Sequence, residues 1–261
     1  MNRFLFAFLM FMLPAAWTCA SKEAGVFIKK TFVSSDGSLP YNELDPVGMK
    51  KGKKYPVVLF LHGAGSRGTD NALQITVAGG LFLNPSNQEK YPAYVLFPQC
   101  PEKNFWTYDD KIPNFKDPMS LPADFEESHL MRLVVSFLRN FLATHEQADP
   151  SRVYVMGISM GGMATYDICI RHPELFAAAV PMCGNVNPSR LASAKNIPFA
   201  IYHGDHDETV PVSGSREAYK ALRAAGAKVK YKEFVGVDHA CWYPTLNEPD
   251  LLEWLFKQKK K

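Results

Sequence analysis

Short apolar runs, each bounded by glycine, proline or polar residues, recur along the chain and predict strands. The runs "YPVVLFLH" and "AYVLFPQ" are continuously apolar, which is typical of strands that are covered on both faces. Further strands are predicted at "SRVYVMG", "FAAAVPM", "PFAIYHG" and "KVKYKEF". Two earlier segments, "GVFIKKTFV" and "SLPYNEL", predict a short antiparallel pair at the edge of the sheet, joined by a turn at "SSDGS".

Apolar residues at helical spacing predict helices between these strands. The clearest helix starts at about Ala123 and includes Leu130, Leu133, Val134 and Phe137. Others are predicted at "MGGMATYDICIRH", "GSREAYKALRAAG" and "PDLLEWLFKQ". Strand and helix alternate without an internal repeat or a linker. The sequence therefore predicts one α/β domain over residues 21–261, with a mainly parallel central sheet and helices on both faces.

The stretch from Cys100 to Pro122 interrupts this alternation. It is rich in proline, aspartate and aromatic residues and predicts a long loop, which in a compact domain is more often functional than connective. Trp106 lies in this stretch, and Trp242 follows a histidine near the end of the chain. For each tryptophan, lining a substrate pocket and packing between loops are equally good interpretations.

The first twenty residues have the pattern of a targeting segment. Arg3 precedes an apolar run from Phe4 to Leu13, and Pro14 and small residues follow. The run is too short to span a bilayer, so residues 1–20 predict a secretory signal and export to the periplasm or the medium. Cys19 leaves a lipoprotein open, and membrane association is expected only if Cys19 is lipidated. The residues "AWT" before it depart from the usual Leu-Ala-Gly pattern, which favours ordinary secretion.

The charge of the chain argues against a nucleic-acid-binding protein. The formal net charge is +3, and loss of Arg3 with the signal gives 3 − 1 = +2. Apart from the tail "KQKKK" the basic residues are scattered, so we expect no nucleic-acid partner.

Cys169 falls in a predicted helix, where it serves as a small apolar residue. Any disulfide pairing among the remaining cysteines stays open: Cys100, Cys183 and Cys241.

The stretch "YVMGISMGGMATY" contains the strongest chemical signal. Gly157, Ser159 and Gly161 fit G-x-S-x-G, in which a serine stands on a tight turn between a strand and a helix. Small residues are needed on either side because larger side chains would collide at the turn. By itself, the motif is equally compatible with a glycine-rich turn that has no catalytic role.

A nucleophilic serine needs a base, and the base needs an acid to orient it. His239 follows the last predicted strand, and Asp205, Asp207 and Glu208 crowd the loop after "AIYHG". The order serine, acid, histidine is the order expected for α/β hydrolases. Three suitable residues in this order at strand ends favour a catalytic triad over coincidence.

With "LHGAGSRGTDN", "GISMGG", "HGDHDETVP" and "DHACW", the sequence resembles the α/β-hydrolase superfamily. It is most similar to carboxylesterases and peptidases near the feruloyl-esterase and polyhydroxyalkanoate-depolymerase branch. The resemblance implies Ser159 as nucleophile, His239 as base and, through H-G-x-x-D-x-x-V-P, Asp207 as acid. Relatives often have serine at the position of Cys241, so the resemblance assigns no role to that thiol.

The resemblance also implies an oxyanion hole. One donor is the amide of Met160, directly after the nucleophile, and the other is expected from the loop after "VVLFLH", at Ala64. Only backbone groups act there, and no cofactor is expected.

Two other classes of site compete for the same loops. Residues Gly63–Gly68 fit G-x-G-x-x-G, but the next strand lacks the acidic end that a dinucleotide-binding protein needs. The candidate ligands of a metal site are all in one loop. Residues that are neighbours in a loop rarely converge on one ion, so no metal site is expected. These candidate ligands are His203, Asp205, His206, Asp207 and Glu208.

The sequence thus predicts an exported serine carboxylesterase. Without a long helical lid, and with aromatic residues near the predicted site, its expected substrates are acetyl or hydroxycinnamoyl esters of polysaccharide. A serine peptidase of the same fold is the alternative, and the oligomeric state is left open.

Overall fold

An eight-stranded sheet forms the centre of the computed structural model, which describes residues 24–109 and 113–260. The predicted secretory signal, residues 1–20, lies outside the described residues. The strands stand in the order β1-β2-β4-β3-β5-β6-β7-β8. Their bounds are β1 Ile28–Ser34, β2 Gly37–Leu44, β3 Tyr55–Leu61, β4 Tyr94–Pro98, β5 Ala148–Ile158, β6 Ala178–Met182, β7 Phe199–Gly204 and β8 Val229–Phe234.

The sheet is parallel except at one edge. β1 pairs antiparallel with β2, and β2 pairs antiparallel with β4, whereas every pairing from β4 to β8 is parallel. The predicted mainly parallel sheet with an antiparallel edge is therefore confirmed. Because parallel strands end at the same side, the residues that follow β3, β5, β7 and β8 gather at one edge of the sheet.

Apolar layers cover both faces of the sheet, which explains the continuous apolar runs. In β3, Val57 and Leu59 face one buried cluster, while Val58 and Phe60 face the other. Alternate side chains of a strand point to opposite faces, so a strand covered on both sides must be apolar throughout.

Helices α3, α4 and α5 contribute to the first cluster and α7 contributes to the second. Among the described residues, no helix has both the length and the apolar character needed to cross a membrane. The helices are α1 Gly79–Leu83, α2 Pro85–Lys90, α3 His129–Thr144, α4 Met160–Arg171, α5 Ser213–Ala224, α6 Trp242–Leu246 and α7 Leu251–Phe256.

The helix predicted from about Ala123 begins later, at His129, so the predicted start is wrong. Ser128 caps α3: its Oγ accepts the Met131 N–H at 3.0 Å and donates to the Trp106 carbonyl at 2.5 Å. Ahead of it, the ring of Phe125 lies against the guanidinium groups of Arg171 and Arg190, and these contacts between distant residues hold the preceding chain outside the helix.

Candidate active site

Ser159 occupies a strained turn between β5 and α4. Its backbone has φ 55° and ψ −115°, a conformation that L-residues rarely adopt. A Cβ on Gly157 would lie 2.1 Å from the Gly161 carbonyl oxygen, and one on Gly161 would lie 1.9 Å from the Leu61 carbonyl oxygen. Only glycine fits at both positions, so the two glycines of the motif are required by close backbone packing.

His239, in the loop after β8, bridges this serine to a carboxylate. Its Nε2 lies 2.8 Å from Ser159 Oγ and its Nδ1 lies 2.6 Å from Asp207 Oδ2. A carboxylate only accepts, so Nδ1–H donates to Asp207 and Nε2 is left to accept the serine hydroxyl proton. The side chain of Asp207 is buried, whereas that of His239 is 21% exposed.

The carboxylate of Asp207 is held ionised by its neighbours. Burial opposes ionisation, but hydrogen bonds from His203, His239 and the Val210 amide outweigh it and hold the pKa of Asp207 well below its ordinary value. Its Oδ1 accepts the N–H groups of Thr209 at 2.9 Å and Val210 at 2.8 Å. Oδ2 is thereby left to the two histidines.

His203 is a further polar contact of this site, and sequence reasoning gave it no part in the triad. Its Nε2 lies 3.1 Å from Asp207 Oδ2 and 2.8 Å from the Val210 carbonyl oxygen, and its Nδ1 lies 2.7 Å from Ser215 Oγ. Because both partners of Nε2 are acceptors, Nε2 carries a proton. The sequence does contain a signal for this contact. His203 is the first residue of "HGDHDETVP", four residues before Asp207.

The other acidic and basic residues of this loop lie elsewhere. Asp205 accepts the Gly236 N–H at 2.7 Å, and His206 and Glu208 are exposed. Among the described residues, the metal-ligand atoms that come within 4.8 Å of one another belong to Cys183, Asp207 and His239, and the last two are already hydrogen-bonded to each other.

The described cysteines are buried and unpaired. Cys183 N–H donates to the Tyr202 carbonyl at 2.9 Å, and the Cys241 thiol lies 3.8 Å from the same oxygen. Burial raises the pKa of Cys100 to about 12, so its thiol stays protonated and is a poor nucleophile.

The loop after β3 lies against the serine turn. A Cβ on Gly63 would lie 3.6 Å from Ser159 Cβ, so this loop packs directly beside the serine. Ala64 is the first residue of a 3₁₀ turn, and Met160 is the first residue of α4. The N–H groups of first helical residues have no acceptor within their own helix.

The same loop lacks the geometry of a phosphate cradle. The stretch Gly63–Gly68 enters the short 3₁₀ turn Ala64–Ser66, and a second 3₁₀ turn at Leu73–Ile75 follows where a dinucleotide-binding fold needs a long helix. Arg67 ties the loop down by donating from Nε to the Ala64 carbonyl at 3.0 Å.

His62 and Trp106 form a buried support behind this loop. His62 Nε2 accepts the Cys100 N–H at 3.0 Å, so the proton lies on Nδ1, which donates to the Gly63 carbonyl at 2.7 Å. Burial lowers the pKa of His62 to about 4 and keeps the ring neutral. Trp106 is fully buried and donates from Nε1 to the His62 carbonyl at 3.0 Å. Trp106 does not line the cavity at Ser159; it packs behind the loop and supports it through this hydrogen bond.

A cavity of about 390 Å³ opens onto Ser159 and His239. Trp242 does line it, with its ring edge-on to His239 at a centroid distance of 5.5 Å. Most of the remaining wall is apolar and includes Phe60, Val77, Phe105, Phe115, Ile158 and Met163.

Several curated proteins resemble the chain. It is 27% identical over 224 residues to poly(3-hydroxyalkanoate) depolymerase C of Paucimonas lemoignei, covering 85% of this chain and 50% of that protein. It is 28% identical over 202 residues to an endo-1,4-beta-xylanase/feruloyl esterase of Xylanibacter ruminicola, covering 77% and 26%. The chain thus spans half or less of the length of these relatives.

Solved structures agree with this similarity. The crystal structure of a thermostable esterase matches with a TM-score of 0.81 and 35% identity, over 90% of this chain and 63% of that one. A ferulic acid esterase from Anaeromyces mucronatus, solved with ferulic acid, has a TM-score of 0.63 at 16% identity over 88% and 92%, and it shares the fold.

The family profile of phospholipases and carboxylesterases matches residues 42–250, a range that contains the serine turn, the acid loop and the histidine. The chain belongs to the phospholipase/carboxylesterase family and has the α/β-hydrolase fold.

Proposed function

We propose that the protein is a serine carboxylesterase in which Ser159 is the nucleophile, His239 the general base and Asp207 the acid that orients it. The observation that carries this proposal is the unbroken chain of hydrogen bonds from Ser159 Oγ through His239 to Asp207, at 2.8 and 2.6 Å, beside an apolar cavity. Membership of the carboxylesterase family supports it.

The reaction follows from the positions of these groups. Ser159 Oγ attacks the ester carbonyl while His239 Nε2 takes its proton, and the amides of Ala64 and Met160 receive the negative charge that develops on the carbonyl oxygen. His239 then protonates the departing alcohol. Water, activated by the same imidazole, releases the acid from Ser159.

For the substrate, we propose acetyl or hydroxycinnamoyl esters attached to polysaccharide, with the protein exported as one domain over residues 21–261. The names of two relatives, an endo-1,4-beta-xylanase/feruloyl esterase and the feruloyl esterase B of Neurospora crassa, support this substrate class. Within residues 24–109 and 113–260 no long helix covers the cavity, which disfavours a lipase that acts on droplets.

Replacing the nucleophile tests the activity. Ser159→Ala should lower the rate of p-nitrophenyl acetate hydrolysis by roughly 10⁴- to 10⁶-fold, because the triad acts as a unit. Ser193→Ala, an exposed serine on a different turn, is the matched control and should keep the native rate. Circular dichroism should show both variants folded. Undiminished hydrolysis by the folded Ser159 variant would refute the proposal.

A single substrate panel tests the class of ester. Methyl ferulate, acetylated xylan, p-nitrophenyl esters of rising acyl length and a peptide anilide should be compared by kcat/KM. A preference for long-chain esters or for the anilide would overturn the substrate class and leave the triad in place.

A further inference from the structure

A second groove opens beside the catalytic cavity. It has a volume of about 460 Å³ and lies between α1 and α2 on one side and α6 and the start of α7 on the other. Val77 lines both the cavity and the groove, and Trp242 of the cavity wall is followed directly by Tyr243 of the groove wall. The rings of these two residues have their centroids 5.7 Å apart. The groove therefore begins at the wall of the cavity.

The proposed reaction places the alcohol part of the ester on this side of the cavity. His239 protonates the departing alcohol, so the alcohol oxygen must lie beside His239 Nε2. Trp242 stands edge-on to His239 at a centroid distance of 5.5 Å, and Tyr243 is the next residue of α6. The groove thus starts next to the group that the alcohol must contact, whereas the apolar cavity wall suits the acyl group.

Tyr243 has an exposed ring at the mouth of this groove. Its side chain is 59% exposed, and it is the only aromatic residue among the exposed large hydrophobic residues in the described part of the chain. One exposed apolar side chain is ordinary on a protein surface, but this ring borders a groove that leads to the nucleophile. The flat face of a tyrosine can pack on the apolar face of a sugar ring while its hydroxyl stays in water.

Three asparagine side chains of the groove are fixed by local hydrogen bonds that leave one end of each amide for a ligand. Asn84 Oδ1 accepts two backbone N–H groups at the start of α2, at 3.0 and 3.4 Å, which leaves its Nδ2 donor. Asn87 Nδ2 donates to the Leu81 carbonyl and Asn247 Nδ2 to the Tyr243 carbonyl, each at 2.8 Å, which leaves two acceptor oxygens. Asn84 and Asn247 are exposed. Sugar hydroxyls both donate and accept, so they match such a set.

We propose that the groove between α1–α2 and α6–α7 binds the sugar chain on the alcohol side of the ester, with Tyr243 packing on a sugar ring and the asparagines bonding its hydroxyls. The inference rests on the proposed esterase function and adds a second site to it. The cavity receives the acyl group, and the groove receives the sugar units beyond the one that carries the ester. These contacts are the same before and during the reaction, so they lower KM and leave kcat unchanged.

Esters that share an acyl group and differ in the length of the sugar chain test the groove. One series is the monoacetylated forms of xylose, xylobiose and xylotetraose, and the other is feruloyl arabinose and a feruloylated arabinoxylan oligosaccharide. In at least one series, kcat/KM should rise by about fivefold or more from the single sugar to the longest chain, through a lower KM.

Substitutions at the groove should remove this dependence on length. Tyr243→Ala should bring the ratio of kcat/KM for the longest and the single-sugar ester to within about twofold of one, while Tyr243→Trp keeps an aromatic ring and should keep the ratio. Asn247→Ala deletes one acceptor and should lower the ratio by about two- to threefold. Val235→Ala, at an 88% exposed residue outside the groove, is the control and should keep the native ratio.

Absence of a length dependence in both series would overturn the proposed groove, and so would a dependence that survives Tyr243→Ala. A rise with oligomers of 3-hydroxybutyrate and none with the sugar esters would overturn the sugar chain as occupant and assign the groove to a polyester. In each case Ser159-dependent hydrolysis of p-nitrophenyl acetate would still support the esterase proposal. Loss of that dependence on Ser159 would instead refute the proposed function itself.

Discussion

The loops that carry Ser159, Asp207 and His239 lie at the carboxyl edge of the sheet, as do residues 100–109 and 113–122 of the long loop after β4, but different kinds of contact hold the two regions. The serine turn requires glycine two residues before and two residues after Ser159. Asp207 accepts the N–H groups of residues two and three positions later in its own loop. Both constraints fall on residues within three positions of a reacting group, so a motif of a few letters records them, although Gly161 also packs against the distant Leu61 carbonyl.

The described residues of the long loop after β4, 100–109 and 113–122, are held by residues far away in the sequence. Asp109 accepts the His129 N–H at 3.0 and 2.8 Å, and Asn185 Nδ2 donates to the Phe115 carbonyl. Phe105 and Phe115 of this segment line the cavity. The comparison indicates that short local motifs position the reacting groups, while long-range packing shapes the wall that a substrate would contact.

The largest effect is expected from adding one methyl group to the serine turn. In Gly161→Ala the new Cβ would lie 1.9 Å from the Leu61 carbonyl oxygen, so β3 and α4 would have to separate. We expect loss of esterase activity and a fall in the free energy of unfolding of about 3 kcal/mol or more. Urea unfolding and p-nitrophenyl acetate hydrolysis measure both quantities.

The control for this substitution is Gly80→Ala. No atom lies within 4 Å of a Cβ built at Gly80 in α1, so its stability and activity should stay near native. Equal stability of the two variants would show that the glycine at 161 is not required by packing.

A smaller effect is expected at the acid loop. Asp207→Asn should lower kcat by roughly 10³- to 10⁴-fold, because the amide no longer orients and stabilises the imidazolium of His239. Asp205→Asn should change it by less than about threefold, since Asp205 contacts the Gly236 amide and not His239. Steady-state kinetics on p-nitrophenyl acetate measure both. Comparable losses in the two variants would leave the assignment of the acid without support.

The difference between contacts that are local in the sequence and contacts between distant residues also explains what the sequence could predict. The parallel strands and the antiparallel edge were predictable because alternation and apolar runs are local, and the fold is confirmed. Ser159 and His239 were named from the motif and the strand ends, Asp207 was selected from three acidic residues by the family resemblance, and the structure brings the three side chains together. Their catalytic role stays a prediction until the variants are measured.

Features that depend on distant residues could not be read from the sequence. The start of α3 was misplaced because Ser128 and Phe125 are held by Trp106, Arg171 and Arg190, none of which is close in the sequence. Asn71 likewise depends on distant residues: its Nδ2 donates to the carbonyls of Lys30 in β1 and Tyr41 in β2, and its Oδ1 accepts a hydrogen bond from Gln74. No pattern of spacing encodes such contacts.

Trp106 gives the smallest expected effect on activity and separates the two regions most clearly. Trp106→Phe deletes the indole N–H that donates to the His62 carbonyl at 3.0 Å and leaves a gap at a fully buried site. The free energy of unfolding should fall by about 1–3 kcal/mol, because a buried carbonyl loses its partner. Since the ring does not line the cavity, kcat/KM should stay within about twofold of native. Trp254→Phe, at a partly exposed tryptophan outside the cavity wall, is the matched control for stability. Equal stability of the two variants would contradict the supporting role of Trp106, and a tenfold loss of activity with stability unchanged would place Trp106 in the substrate site after all.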